Sequence, residues 1–335
     1  MYTTFFKRDN VKVALYADQS ITKSVEKLCK PYILTVPKEQ DDLDCWKIII
    51  SGRPSDTHNF QKVTYRPEGE PSCSYLYSIK EKTIFLDDCE GEMWLPQNAL
   101  RLIRVILRLE FLNHGAMYLH GGMVKIENKG IGFIGRKKSG KTSSILSLIS
   151  NFSAKYITND DLCVVNDGEN WMGLGWPRSI SIRQDTFQRF LPTSSFDEFF
   201  KHPIHQEVTI ERKNEIQNST FVYPSELADM FNTSLLEKGT LDMIVFPSFL
   251  PKGSNDTYIQ KLDLNEATKL LLENIEINPG KFNEFLLSHY ELPNKEKLEY
   301  RIKKLIESIP CYSLAQSFEN LDDGSKALVD ILRKK

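Results

Sequence analysis

Net charge is almost absent from this sequence, because 43 Lys and Arg residues against 45 Asp and Glu residues leave a formal charge of −2. Nucleic-acid-binding domains usually carry a basic surface, so we expect no nucleic-acid partner. The chain also lacks any apolar run of the roughly 20 residues that a membrane-spanning helix needs. Its start, MYTTFFKRDNVKVALYA, has neither the apolar centre nor the cleavage site of a secretory signal. We therefore expect a cytoplasmic protein with no membrane partner.

Cysteine is scarce, with six residues in 335. They form no C-x-x-C pair and have no nearby histidine at metal-ligand spacing, so a structural zinc site is not indicated. We predict reduced, partly buried thiols. The six are Cys29, Cys45, Cys73, Cys89, Cys163 and Cys311.

The first hundred residues have the pattern of a small α/β domain. Apolar alternation predicts strands over 11–16 and 46–50, and helical spacing predicts a helix over 21–28. Residues 73–79 and 83–86 are separated by a short polar turn, which is typical of a hairpin. We predict an N-terminal α/β domain over 1–95.

Residues 96–335 are predicted to form the second and larger domain, which begins just before a mostly buried helix over 100–112. Strands are predicted at 130–134, 155–158, 162–165, 176–183, 241–246 and 310–314, and helices at 142–149, 265–275 and 325–332, with a further helix starting at Pro224.

The most specific motif is Gly135 to Thr142, GRKKSGKT, which fits the phosphate-binding loop pattern G-x-x-x-x-G-K-[ST]. It lies between a predicted strand and a predicted helix. That setting aims the unpaired N–H groups and positive end of a helix at an anion. The predicted nucleotide-binding residues are Gly135, Arg136, Lys137, Lys138, Ser139, Gly140, Lys141, Thr142 and Ser143.

Two adjacent carboxylates, Asp160 and Asp161, follow Lys141 by about twenty residues, at the junction of two predicted strands. Two neighbouring carboxylates are costly to hold together unless a cation or a proton-transfer role makes use of them. This indicates metal binding or general-base work. The alternative is a pair of charges on a surface turn.

Together, Leu119-His120-Gly121, the phosphate loop that begins 15 residues after His120, and the Asp160-Asp161 pair resemble the HPr kinase/phosphorylase superfamily. That superfamily shares its nucleotide core with the phosphoenolpyruvate carboxykinases. The resemblance covers about 100–335 and is strongest over 118–165. It implies an α/β fold with a mixed sheet, in which a phosphate-loop core of the HPr kinase type is joined to the smaller N-terminal α/β domain.

The same resemblance implies ATP and Mg²⁺ as cofactors and assigns roles to individual residues. Lys141 would hold the β- and γ-phosphates, and Thr142 would ligate Mg²⁺. His120 would line the active site. Asp161 would be the base that takes the proton of the acceptor hydroxyl, with Asp160 beside it and near the metal; which of the two is the base stays open.

Two departures from the bifunctional enzymes bear on the reaction. Those enzymes have a Ser-Glu pair at the end of the loop, where this chain has Thr142-Ser143. The later acidic, Arg- and Gly-rich signature that supports their phosphate-driven reverse reaction is not found. We expect little phosphorylase activity and a closer resemblance to peptide-tailoring kinases, such as those that phosphorylate lasso-peptide precursors.

Three functions remain open. The favoured one is a kinase that acts on a Ser or Thr hydroxyl of a peptide or protein, and the others are a small-metabolite kinase and a non-catalytic nucleotide sensor. An acceptor peptide is expected across a cleft between the front domain and 176–223, a region rich in Phe. Homo-oligomerisation is left open. Four further basic residues are candidates for an additional phosphate contact, the alternative being an ordinary surface charge. They are Arg178, Arg183, Arg212 and Lys213.

Overall fold

The computed structural model describes residues 2–37, 44–50, 52, 54, 58–66, 71–89, 94–191, 219–251, 253–254, 256–277 and 283–334. Its strands are β1 Tyr2–Arg8, β2 Val11–Ala17, β3 Leu34–Val36, β4 Trp46–Ile50, β5 Gln61–Tyr65, β6 Cys73–Ser78, β7 Thr83–Cys89, β8 Met117–Leu119, β9 Gly121–Ile126, β10 Lys129–Ile134, β11 Lys155–Thr158, β12 Leu162–Asn166, β13 Trp171–Leu174, β14 Ile180–Arg183, β15 Ser219–Val222, β16 Lys238–Thr240, β17 Met243–Phe249, β18 Thr257–Lys261 and β19 Cys311–Gln316. Its helices are α1 Gln19–Cys29, α2 Leu95–Asn113, α3 Lys141–Phe152, α4 Gln184–Phe190, α5 Pro224–Met230, α6 Leu264–Glu273, α7 Glu284–Leu287, α8 Lys295–Ser308 and α9 Leu321–Arg333.

The chain divides into two compact units. In the described residues, the first unit contains positions up to 114, position 219 and 283–292, and the second contains 115–191, 220–277 and 293–334. Helix α2 packs against α1, β2 and β4 of the first unit. The predicted boundary at residue 95 would put this helix in the second domain.

The first unit is built on a seven-stranded sheet in the order β3-β1-β2-β4-β7-β6-β5. Strands β2, β4 and β7 run parallel, while β6 and β7 form the predicted antiparallel hairpin. The segment 283–292 returns to this unit, where Phe285 lies 4.3 Å from Tyr77 between ring centroids. The strands predicted over 11–16 and 46–50 and the helix predicted over 21–28 are confirmed.

One cysteine prediction is wrong, because Cys73 is disulfide-bonded. The β6–β7 register places Cys73 opposite Cys89. Directly opposed residues of antiparallel strands lie at the Cα spacing that a disulfide requires. Sequence spacing alone did not reveal this pairing. Cys29, Cys45, Cys163 and Cys311 are not in disulfides, as predicted.

The second unit has a six-stranded sheet in the order β11-β9-β10-β17-β19-β18 and a four-stranded sheet in the order β16-β13-β12-β8. In the first of these, β10, β17 and β19 are parallel neighbours. Their carboxyl ends therefore share one edge, which is where ligands bind in open α/β sheets. Helix α3 packs on β9 and β10, with α9 beside it. The predicted α/β class is confirmed.

Strand β10 lies in the middle of this sheet and, apart from Lys129, is buried along its length. Such central parallel strands read as short apolar runs, as GIGFI does. The residue after β10 is the first glycine of the phosphate-loop motif. In the part of the chain that the structure describes, no helix combines the length and apolarity needed to cross a membrane.

Candidate active site

The loop of residues 135–140 joins β10 directly to α3 and folds back tightly on itself. The amide of Ser139 donates to Arg136 O at 3.2 Å, and the amide of Gly135 donates to His120 O at 3.2 Å. Gly140 has φ of +104°, in the left-handed region that favours glycine. A β-carbon at Gly135 would lie 2.7 Å from Ser139 Oγ. Glycine is therefore favoured at position 140 by the backbone conformation and at position 135 by the close approach of the Ser139 side chain.

The N-terminus of α3 is open towards this loop. Its cap residue is Gly140, which has no side chain to accept from the first amides, and the first helical bond of this turn runs from Ser144 N to Gly140 O at 2.9 Å. Ser139 Oγ is buried, and it has no hydrogen-bond partner among the described residues. Free N–H groups, a helix dipole and an unused buried hydroxyl together favour an anion.

Lys141, the first residue of α3, is a buried cation next to the loop, with only 4% of its side chain exposed. Its Nζ donates to Gly135 O at 2.8 Å and to Arg136 O at 3.1 Å. The only carboxylate within 4 Å of this Nζ among the described residues is that of Asp160, at 3.8 Å. Burial lowers the pKa of Lys141, and the charges of Asp160 and Glu276 oppose that change. A phosphate would supply the close negative charge that the ammonium lacks.

The turn between β11 and β12 carries Asn159, Asp160 and Asp161 towards the loop. Thr142 Oγ1 donates to Asn159 Oδ1 at 3.3 Å, which ties the start of α3 to this turn. Asp160 has φ of +61°. Such a conformation is uncommon for a non-glycine residue and often marks a functional position. The structure thus brings Lys141, Thr142 and Asp160 together.

Asp161 has a different environment from its neighbour. Its side chain is 3% exposed, and Arg178 Nη1 lies 3.8 Å from its Oδ2. The same Nη1 donates to Asp160 O at 3.3 Å. Arg178 therefore lies close to both residues of the pair, whereas Lys141 lies beside Asp160. Adjacent carboxylates with separate cations can have separate roles.

His120 lies where β8 passes into β9 and contacts the loop through its backbone carbonyl. Its amide donates to Asn274 O at 2.8 Å, and its Nδ1 lies 3.2 Å from Glu276 Oε1. Sequence reasoning missed Glu276. Its charge raises the pKa of Lys141, against the effect of burial. It lies 156 residues after His120 in a segment with no motif. Strand pairing alone brings it here, through a bridge between Leu119 and Ile275.

Of the remaining predicted loop residues, three have exposed side chains and one is buried. Arg136, Lys137 and Lys138 are exposed, and Arg136 Nη2 pairs with Glu273 Oε2 at 3.1 Å. Ser143 is buried, with its hydroxyl 3.5 Å from Thr186 Oγ1.

Other candidates lie away from the loop or outside the described residues. Arg183 forms a surface pair with Asp185 at 3.0 Å. Phe187, one of the aromatic residues expected in a peptide groove, is fully buried and belongs to the core. Arg212, Lys213 and most of the expected aromatic region fall at 192–218, outside the described residues. The predicted strand over 176–183 is shorter, since β14 starts at Ile180.

The sequence matches no protein-family model and no curated protein. Among solved structures, the chain is similar to the HPr(Ser) kinase/phosphatase from Coxiella burnetii, with 11% sequence identity and a TM-score of 0.30. The match covers 64% of this chain and 95% of that one. Similarity at this level does not assign an activity, so the function has to be argued from the geometry of the loop and its neighbours.

Proposed function

We propose that this protein is an ATP- and Mg²⁺-dependent kinase with a phosphate-loop core of the HPr kinase type, which transfers the γ-phosphoryl group to a Ser or Thr hydroxyl of a peptide or protein. One observation carries the proposal. The buried ammonium of Lys141 lies in a glycine loop at the N-terminus of α3, with the Asp160 carboxylate only 3.8 Å away. This combines anion binding with a metal-binding type of side chain in one place.

The residues present fit a nucleotide. The α3 amides, the buried Ser139 hydroxyl and the Lys141 ammonium are all donors that converge on the loop. Donors of this kind surround phosphate oxygens. The two glycines leave room for the phosphates to approach the backbone, because a side chain at Gly135 would fill the turn.

The residues also fit Mg²⁺. The Thr142 hydroxyl and the Asp160 carboxylate are hard oxygen ligands, and Mg²⁺ is commonly held by one or two carboxylates together with substrate phosphates. Among the described residues there is no cluster of three or more His, Cys, Asp or Glu that could hold a metal without a nucleotide, which agrees with binding as a nucleotide complex. When bound, Mg²⁺ would neutralise charge on the transferred phosphoryl group.

The chain's own groups divide the remaining work. Lys141 holds the β- and γ-phosphates as a point charge. Asp161 accepts the proton of the acceptor hydroxyl, while Arg178, 3.8 Å away, balances the charge of this buried carboxylate. His120 and Glu276 position the start of the loop. His120 Nδ1 lies 3.2 Å from Glu276 Oε1, and the carbonyl of His120 accepts a hydrogen bond from the amide of Gly135. Holding the reactants in line is most of what phosphoryl transfer requires.

The proposal is tested by incubating the purified protein with Mg-ATP and a library of peptides that contain Ser or Thr, and by detecting phosphorylated products by mass spectrometry. We expect phosphopeptides that disappear when Mg²⁺ is chelated. A parallel set of free sugars and amino acids serves as the comparison. Transfer to these small molecules with none to any peptide would replace the peptide acceptor by a metabolite, and binding of ATP without transfer to either class would indicate a sensor.

A further inference from the structure

The phosphate loop has an aromatic neighbour that the phosphate chemistry does not use. Phe249 is the last residue of β17 and is 38% exposed. Its ring atoms Cζ, Cε2 and Cε1 lie 3.1, 3.3 and 3.5 Å from the point where a β-carbon of Gly140 would stand. A large, partly exposed ring therefore adjoins the last glycine before Lys141.

Sheet topology explains why this ring lies beside the loop. Strands β10, β17 and β19 are parallel neighbours, so the loop after Ile134, the ring of Phe249 and the residues after Gln316 all emerge at one edge. Phe318, two residues beyond β19, lies 6.1 Å from Phe249 between ring centroids, with the planes inclined at 69°. Its position is supported by the guanidinium of Arg189, 5.6 Å from the ring centroid.

Resting on the kinase proposed above, we propose that Phe249 is the stacking platform for the base of the bound nucleotide, and that Phe318 supports it from behind. A nucleoside triphosphate with its phosphates in the loop carries its base only one ribose away from them. Every base presents a π-face, and a protein aromatic ring that is both exposed and laterally supported is a suitable stacking surface. Stacking of this kind does not discriminate strongly between bases.

The test compares two ligands that share the phosphates and differ in the base: Mg-ATP and inorganic triphosphate with Mg²⁺. Dissociation constants are measured by calorimetry for the wild type, Phe249→Ala and Phe249→Tyr. We expect Phe249→Ala to weaken ATP binding by roughly 5- to 150-fold, the range that base–aromatic stacking supports. Binding of inorganic triphosphate should be unchanged, and Phe249→Tyr, which keeps a ring, should bind ATP as the wild type does.

The matched control is Tyr300→Ala. Tyr300 is an aromatic residue of the same unit, on α8, and is 64% exposed. The Tyr300→Ala variant should bind both ligands as the wild type does. Equal weakening of both ligands by Phe249→Ala would show that the ring only shapes the loop, and no weakening of either would show that it does not touch the base. If the wild type binds neither ligand, the phosphate site itself is absent and the kinase proposal fails with the platform.

Discussion

Asp160 and Asp161 are neighbours in sequence, yet their side chains meet different cations. Asp160 Oδ1 lies 3.8 Å from Lys141 Nζ, and Asp161 Oδ2 lies 3.8 Å from Arg178 Nη1. The first is one quarter exposed and the second is almost fully buried. This difference supports the separate tasks proposed for them, in which Asp160 would lie at the metal and phosphates and Asp161 at the acceptor.

The separation predicts that Asp160→Asn and Asp161→Asn fail in different ways. Loss of a general base typically slows the chemical step by about 10²- to 10⁴-fold, so Asp161→Asn should lose transfer and still bind Mg-ATP. Asp160→Asn should need more Mg²⁺ for the same rate, because a hard ligand is lost. Initial rates measured across a Mg²⁺ titration separate the two cases.

Asp185→Asn is the control for this pair. Asp185 is half exposed, and in the described part of the chain its carboxylate pairs with Arg183 and accepts from the amide and hydroxyl of Thr186. The variant should behave as the wild type. Full activity in both Asp160→Asn and Asp161→Asn would show that the pair has a structural role only.

At the residue scale, the sequence revealed the parts of the site that are close together along the chain. Lys141, Thr142 and the two aspartates follow from a motif and a spacing. Glu276 and the aromatic Phe249 could not be found in this way, because each reaches the loop through pairing between distant strands. Neither position has a local pattern that distinguishes it from an ordinary surface or core residue.

At the scale of elements, strand, loop and helix form one unit whose geometry depends on Gly140. An L-residue in the left-handed region costs about 1–2 kcal/mol, and at Gly140 a β-carbon would also press on the ring of Phe249 at 3.1 Å. We therefore predict that Gly140→Ala lowers the free energy of unfolding by about that amount or more and also weakens Mg-ATP binding.

Gly168→Ala provides the matched comparison. Gly168 has φ of +100°, and a β-carbon there would meet no atom within 4 Å. It lies in the turn between β12 and β13, so the same backbone strain is introduced away from the loop. Denaturant unfolding should show a loss of stability for both variants, at least as large for Gly140→Ala, while calorimetry should show weakened Mg-ATP binding only for Gly140→Ala. Equal nucleotide affinity in the two variants would contradict the assigned loop geometry.

The elements also show where pattern reasoning stops. Strand β10 and helix α3 were predicted because a buried apolar run and an apolar helical face are local signals. Strand β14 is shorter than the predicted alternating strand, since the segment that contains Pro177 and Arg178 lies outside it. Arg178 is instead placed next to Asp161. Several strands were not predicted, among them β13, β16 and β18. β16 has only three residues, and β18 is an edge strand whose residues are partly or fully exposed.

At the scale of the whole molecule, the chain crosses between its two units more than once, which a linear domain boundary cannot represent. The first unit takes in both α2 and the distant segment 283–292. A boundary at residue 95 follows composition along the chain, whereas packing joins segments far apart in sequence. The disulfide of Cys73 has the same origin, because it depends on strand register and not on cysteine spacing.

The most direct test of the whole account follows the γ-phosphoryl group of labelled ATP in a single turnover, with Mg²⁺ and a mixture of Ser- and Thr-containing peptides. The wild type should move the label to a hydroxyl acceptor. Lys141→Ala should slow this step by about 10²- to 10³-fold, as removal of a preorganised donor does, while thermal unfolding stays cooperative. The control Lys326→Ala changes an exposed lysine of α9 in the same unit and should match the wild type. Transfer by Lys141→Ala at the wild-type rate, or no transfer by the wild type to any acceptor, would contradict the assignment of this loop as a kinase active site.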